Sequence, residues 1–205
     1  MDAAYLSAVC PEPVQLLGTR LRPFCLGHWL LLTRHGNGFL TGHPTAEDLV
    51  AGILTCSLTF EEGAALWNAP DRDQQVEAWT KQLTAACLRE HTTLNLVEKS
   101  AVFAGYLSTG QKMPAYIYEE SDAPPVGSPW PQVLKLLLMS ELVMSETEVY
   151  NRPLVRCWWD YLGWRELNDK GVKLLEAETV ENYELAQKRA DANHEWLVSK
   201  VINGS

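Results

Sequence analysis

The stretch Ser145-Glu-Thr-Glu-Val-Tyr-Asn-Arg-Pro-Leu-Val-Arg-Cys-Trp-Trp-Asp-Tyr-Leu-Gly-Trp-Arg-Glu-Leu-Asn-Asp-Lys-Gly171 decides the fold. Ser145 followed three residues later by Glu148 has the spacing of a capping box, which satisfies backbone donors at a helix start. It predicts a single turn that stops at Asn151-Arg-Pro153. Pro153 then opens a second helix, because a fixed φ and a missing N–H cost nothing in a first turn, and this helix runs toward Gly171. Leu154, Trp158, Tyr161 and Arg165 fall on one face of it, and Val155, Trp159 and Leu162 on an adjacent one. The apolar arc is wider than one core contact requires. Such a helix is either buried centrally or shares a face with another chain.

The same punctuation recurs toward the N-terminus. Thr45-Ala-Glu-Asp48 and Thr59-Phe-Glu-Glu62 are two further capping boxes. The first opens a helix through Cys56, and the second opens a short one that must end before Pro70. Upstream, Pro23 and Gly36 bracket an apolar helix carrying Phe24, Leu26, Trp29, Leu30 and Leu32. Between Asp71 and Glu90, Val76, Trp79, Leu83 and Cys87 recur at helical spacing, and Leu94 to Leu107 continues as a helix with Gly110 as its stop. Residues 109–129 hold four prolines, two glycines and one strand-like run, Ala115-Tyr-Ile-Tyr118. Ser128-Pro129 supplies a cap and a first-turn proline for a helix from Trp130 to Ser140, and Thr179 to Ile202 reads as a long polar helix. The expectation is an all-α chain of about eight helices, with an N-terminal helical part over 1–108, a Pro-rich connection over 109–129 and a C-terminal helical part over 130–205. The two parts can form one continuous domain.

Composition narrows the function. Twenty-six acidic against seventeen basic residues give a formal charge of −9, which opposes a phosphate-binding surface, so no nucleic acid is expected as partner. The N-terminus lacks the positive flank of a signal peptide, and no apolar run reaches membrane-spanning length. A soluble, cytoplasmic protein without a membrane partner is the expectation. Five widely spread cysteines, Cys10, Cys25, Cys56, Cys87 and Cys157, read as reduced thiols filling a core.

Reactive constellations are weak. Cys25-x-x-His28 with His35, and His43 or Cys56 added, imitates a metal site but lacks the paired ligand spacing of structural zinc. Glu178, Glu181 and Glu184, with His194 and Glu195 beyond them, form a carboxylate row of the kind that binds magnesium in helical phosphohydrolases. A second acidic row on a facing helix would be needed, and acidic residues near a helix start are favoured by the macrodipole alone. No phosphate loop, nucleophile elbow or His-Glu-x-x-His pair is present. The chain therefore reads as a non-enzyme with no catalytic residues, no metal and no cofactor. Its candidate partner-binding residues are Trp158, Trp159, Tyr161, Trp164 and Arg165, because large aromatics and arginine dominate protein-binding hot spots. Within the same helix, Arg156 with Asp160 and Arg165 with Asp169 are spaced to pair.

The segment from Met144 to Leu162, a short capped turn leading into the tryptophan helix, resembles proteins encoded by long-tailed bacteriophages and prophages. It looks like the tail assembly chaperones, and the front part from Leu21 to Ser57 has a similar character. The resemblance covers at most about a third of the chain, and the Pro-rich insert departs from it. It implies an all-helical, acidic protein of the host cell cytoplasm that holds the tape measure protein soluble and recruits tail tube subunits, and that can form a homo-oligomer. A head-to-tail connector or tail completion protein is the alternative within the same setting, and a metal-dependent phosphohydrolase using the Glu178 row is the enzyme alternative.

Overall fold

The computed structural model describes residues 3–89, 96–118, 127–168, 171–175 and 179. Among them the chain is mainly α, with ten helices and two small two-stranded ribbons. The expected helix over 179–202 lies outside the described residues. In chain order the elements are α1 (Ala3–Val9), β1 (Val14–Leu16), β2 (Thr19–Leu21), α2 (Leu26–Arg34), α3 (Gly38–Thr41), α4 (Ala46–Ser57) and α5 (Phe60–Asn68). They continue as α6 (Arg72–Arg89), α7 (Leu96–Gln111), β3 (Tyr116–Tyr118), α8 (Trp130–Ser140), α9 (Glu146–Asn151), α10 (Leu154–Leu167) and β4 (Val172–Leu174).

The three Ser/Thr caps form where the sequence puts them. Thr45 and Thr59 accept from the backbone N–H of Asp48 and Glu62, whose carboxylates accept in return from the Thr45 and Thr59 N–H groups. Ser145 accepts from Glu148 N–H and starts α9, but the return bond from Ser145 N–H to the Glu148 carboxylate is not formed, so the third expected capping box is only a cap. Other boundaries move. Pro23 lies three residues before Leu26, the first residue of α2, and is not its first helical residue; the cap is Cys25. Pro129 is the cap of α8, and the first-turn proline is Pro131. Gly110 does not stop α7, which runs on to Gln111. A side chain at Gly110 would press on Phe24, so this glycine serves close approach between segments.

The short helices α1 and α3 and the pairing of the two ribbons were not foreseen. β1 and β2 pair antiparallel with Leu16 opposite Thr19, and both turn residues, Leu17 (φ 51°) and Gly18 (φ 71°), are left-handed, as a tight two-residue hairpin requires. β3 occupies the expected Tyr116–Tyr118 run, and its antiparallel partner is β4, which follows Gly171 (φ 67°).

One core joins both sides of the 109–129 connection. Leu49, Ile53 and Cys56 of α4 meet Phe103 and Leu107 of α7, Leu134 and Leu138 of α8, and Leu154 and Cys157 of α10 in one buried cluster. The joint is also polar. Leu154 N–H donates to the Phe24 carbonyl (2.8 Å), Phe60 N–H to Asn151 Oδ1 (2.9 Å) and Asn151 Nδ2 to Glu61 (2.9 Å). Among the described residues no helix is long and apolar enough to cross a membrane.

Candidate protein-binding site

α10 is the centre of the candidate site, and its inward seam is Leu154, Cys157 and Leu162. Cys157 had not been counted in that stripe. The five candidate residues are all half-buried and fall into two groups. Trp158 and Tyr161 face an aromatic string within the protein: Trp29 meets Trp130 edge-on (4.7 Å between ring centres), Trp130 lies against Trp158 (5.4 Å), and Trp158 meets Tyr161 (6.0 Å). Arg165 closes the string, donating to Tyr161 Oη (3.1 Å) with its guanidinium over the same ring. Trp159 points elsewhere, meeting Tyr5 of α1 edge-on at 5.4 Å. Trp164 is one turn further along, and its carbonyl accepts from the Asn168 side chain that caps the helix end.

Ion pairing differs from the expected i, i+4 pattern. Asp160 pairs with Arg152, whose Nη2 and Nε both reach Oδ2 (2.6 and 2.8 Å). Arg152 sits at the α9–α10 junction, so this pair fixes the angle between the two helices. Asp169, the expected partner of Arg165, lies outside the described residues, as do Glu178, Glu181, Glu184, His194 and Glu195.

Behind Trp159 opens a groove of about 1400 Å³. Its walls come from α1, the β1–β2 hairpin, α7, α10 and the chain over 112–115, and Leu175 lies at one end. The exposed apolar side chains Leu6 (46%), Val102 (41%) and Met113 (38%) lie along it beside Trp159. The groove, Leu6 and Met113 were not anticipated, and α1 carried no recognised signal; on α7 the spacing left Val102 or Phe103 as the contact residue beside Tyr106, and it is Phe103 that is buried while Val102 is exposed on the groove. One cue was legible. In Thr19-Arg-Leu-Arg22 the period of two sends Leu21 inward and places Arg20 and Arg22 together outside, on the groove.

The Cys25–His28 pair resolves as a capping box at the start of α2. The Cys25 thiol accepts from His28 N–H, and Cys25 N–H lies 3.4 Å from His28 Nδ1 as its donor. His28 Nε2 donates to the Leu58 carbonyl (2.9 Å), which fixes the neutral tautomer with its proton on Nε2. Burial lowers the His28 pKa to about 4 and raises the Cys25 thiol to about 12. His35 is exposed and stacks near Trp67 (4.5 Å). Among the described residues no group of three or more His, Cys, Asp or Glu is placed to hold a metal ion.

What this arrangement offers chemically is contact area with a few charges at its edge. Set against protein-family models, curated proteins and solved structures, the chain finds no match.

Proposed function

We propose that this chain is a non-enzymatic tail assembly chaperone of a tailed bacteriophage or prophage. It acts in the host cell cytoplasm by holding apolar helical segments of the tape measure protein until tail tube subunits assemble around it. The observation that carries this reading is the groove beside Trp159, with Leu6, Val102 and Met113 unpartnered along it among the described residues. An amphipathic helix laying its apolar face into such a groove is a recurrent mode of recognition. Its volume suits it: a helix with side chains is about 10–12 Å across, so a segment of about three to four turns occupies a volume of the order of that groove. The acidic surface of the rest of the molecule keeps a loaded complex soluble.

Co-expression with the tape measure protein of the same phage tests the reading. Soluble tape measure should be recovered with this chain and fall several-fold with Trp159→Ala, a half-buried residue whose loss removes groove wall. Tape measure that stays equally insoluble with and without the chain sinks the proposal. Recovery of the chain from purified particles would instead place it among virion components.

A further inference from the structure

We infer that the groove selects an acidic amphipathic helix, one whose apolar seam is flanked by carboxylates. This deepens the proposed function and rests on its premise that the groove is where a client is held. The argument is one of charge complementarity. The chain has nine more acidic than basic residues, yet among the described residues the groove is lined by three cations, Arg20, Arg22 and Lys112, against one carboxylate, Glu12. The charge of this described lining is therefore opposite in sign to that of the whole chain.

None of the three cations is ion-paired among the described residues, whereas Arg72, Lys81, Lys99, Lys135 and Arg152 are. Arg20, Arg22 and Lys112 are exposed, so their heads stay hydrated until a partner arrives. Arg20 and Arg22 flank the buried Leu21 on the hairpin, and Lys112 follows α7, so the cations come from two different walls with Phe24 and Gly110 between them. Trp159, Val102, Leu6 and Met113 provide the apolar contacts. A helix with a leucine seam would bury that seam on these side chains while its flanking glutamates meet the guanidinium and ammonium groups. A basic helix meets a repulsive rim, and this is how the site would reject the wrong partner. The remaining net negative surface disfavours anionic membranes and nucleic acid as occupants.

Cys10 makes the inference measurable, because this exposed thiol lines the groove. The probes are a fluorescent peptide with a leucine seam flanked by glutamates, its lysine-flanked counterpart, and phosphatidylserine vesicles, each added to the full chain. The acidic peptide should bind at least about tenfold tighter than the lysine peptide, weaken with added salt, and slow alkylation of Cys10 read by peptide mass mapping. Arg20→Glu with Arg22→Glu, both at exposed positions, should reverse the preference, with unchanged melting showing that the fold survives. Equal binding of the two peptides, an unreversed preference, or binding of the vesicles in place of the peptide overturns the inference. The two proposals separate cleanly. If the double reversal still keeps the tape measure protein soluble, the chaperone reading stands and charge selection falls. If the acidic peptide is selected while the tape measure protein is never held, charge selection stands and the chaperone reading falls.

Discussion

At the scale of single residues, His28 shows how a motif with reactive appearance becomes structural. Its ring is fully buried, accepts from Cys25 N–H and donates to the Leu58 carbonyl, so both nitrogens are used only when the ring is neutral. Protonation would put a second N–H against the Cys25 donor inside the core. Burial accordingly lowers its pKa from the ordinary 6.5 to about 4. The sign of the linkage follows: the unfolded chain binds this proton more readily, so the His28 contribution is intact above about pH 6.5 and is lost as pH falls toward about 4. Full loss corresponds to about 3 kcal/mol. Urea unfolding at a series of pH values should show this decline, and His28→Gln, which cannot titrate, should flatten it. An equal slope in wild type and variant would remove His28 as the cause. The spacing Cys25-x-x-His28 was legible as a pairing, but its role was not, because a cap and a ligand use the same lone pairs and only burial and the Leu58 carbonyl distinguish them.

At the scale of elements, close approach between helices is set by glycines whose purpose periodicity does not reveal. Gly52 of α4 lies against the ring of Phe103 in α7, where an added Cβ would sit 2.6 Å from Cε1, and that ring is fully buried. Gly163 of α10 has nothing within 4 Å of the same added atom. Replacing a mid-helix glycine by alanine gains up to about 1 kcal/mol of helix propensity in both places. Overpacking a rigid site costs about 1–3 kcal/mol, which outweighs that gain at Gly52 alone. Gly52→Ala should therefore lower the stability measured by denaturant, and Gly163→Ala should raise it by about 0.5–1 kcal/mol. A stabilised Gly52→Ala would show that α4 and α7 can slide apart without loss. Helix starts were readable from Thr45, Thr59 and Ser145 because a cap is a local bond between neighbours in sequence. The hairpin was not, since its turn is Leu17-Gly18 with leucine in the left-handed region, and β4 was not, since three residues become a strand only through their distant partner β3. The groove was hidden for the same reason: it is made by elements far apart in the chain.

At the scale of the whole molecule, the question is whether the segments on the two sides of residues 109–129 unfold as one body, and the cysteines can answer it. Cys25 and Cys56 belong to the N-terminal side and Cys157 to the C-terminal side, and all three are buried. Cys56 and Cys157 lie in the shared core cluster, while Cys25 bridges in antiparallel fashion to Pro153. Burial raises the Cys25 and Cys157 thiols to about 12 and Cys56 higher still, so none is reactive while the core is closed. Each becomes accessible only through opening, and its labelling rate reports the free energy of whichever opening exposes it. Because Leu154 N–H bonds Phe24 and Asn151 holds both Phe60 and Glu61, separating the two sides would break buried apolar contact and these bonds together. Pulsed alkylation in sub-denaturing guanidinium should accordingly modify exposed Cys10 at once. Cys25, Cys56 and Cys157 should then follow slowly with one common dependence on denaturant, equal to that of global unfolding. Earlier labelling of Cys157 than of Cys56 would mean that α8 to α10 detach as a unit. The wall of the groove contributed by Val155 and Trp159 would then be able to separate from the wall contributed by α7 and the hairpin.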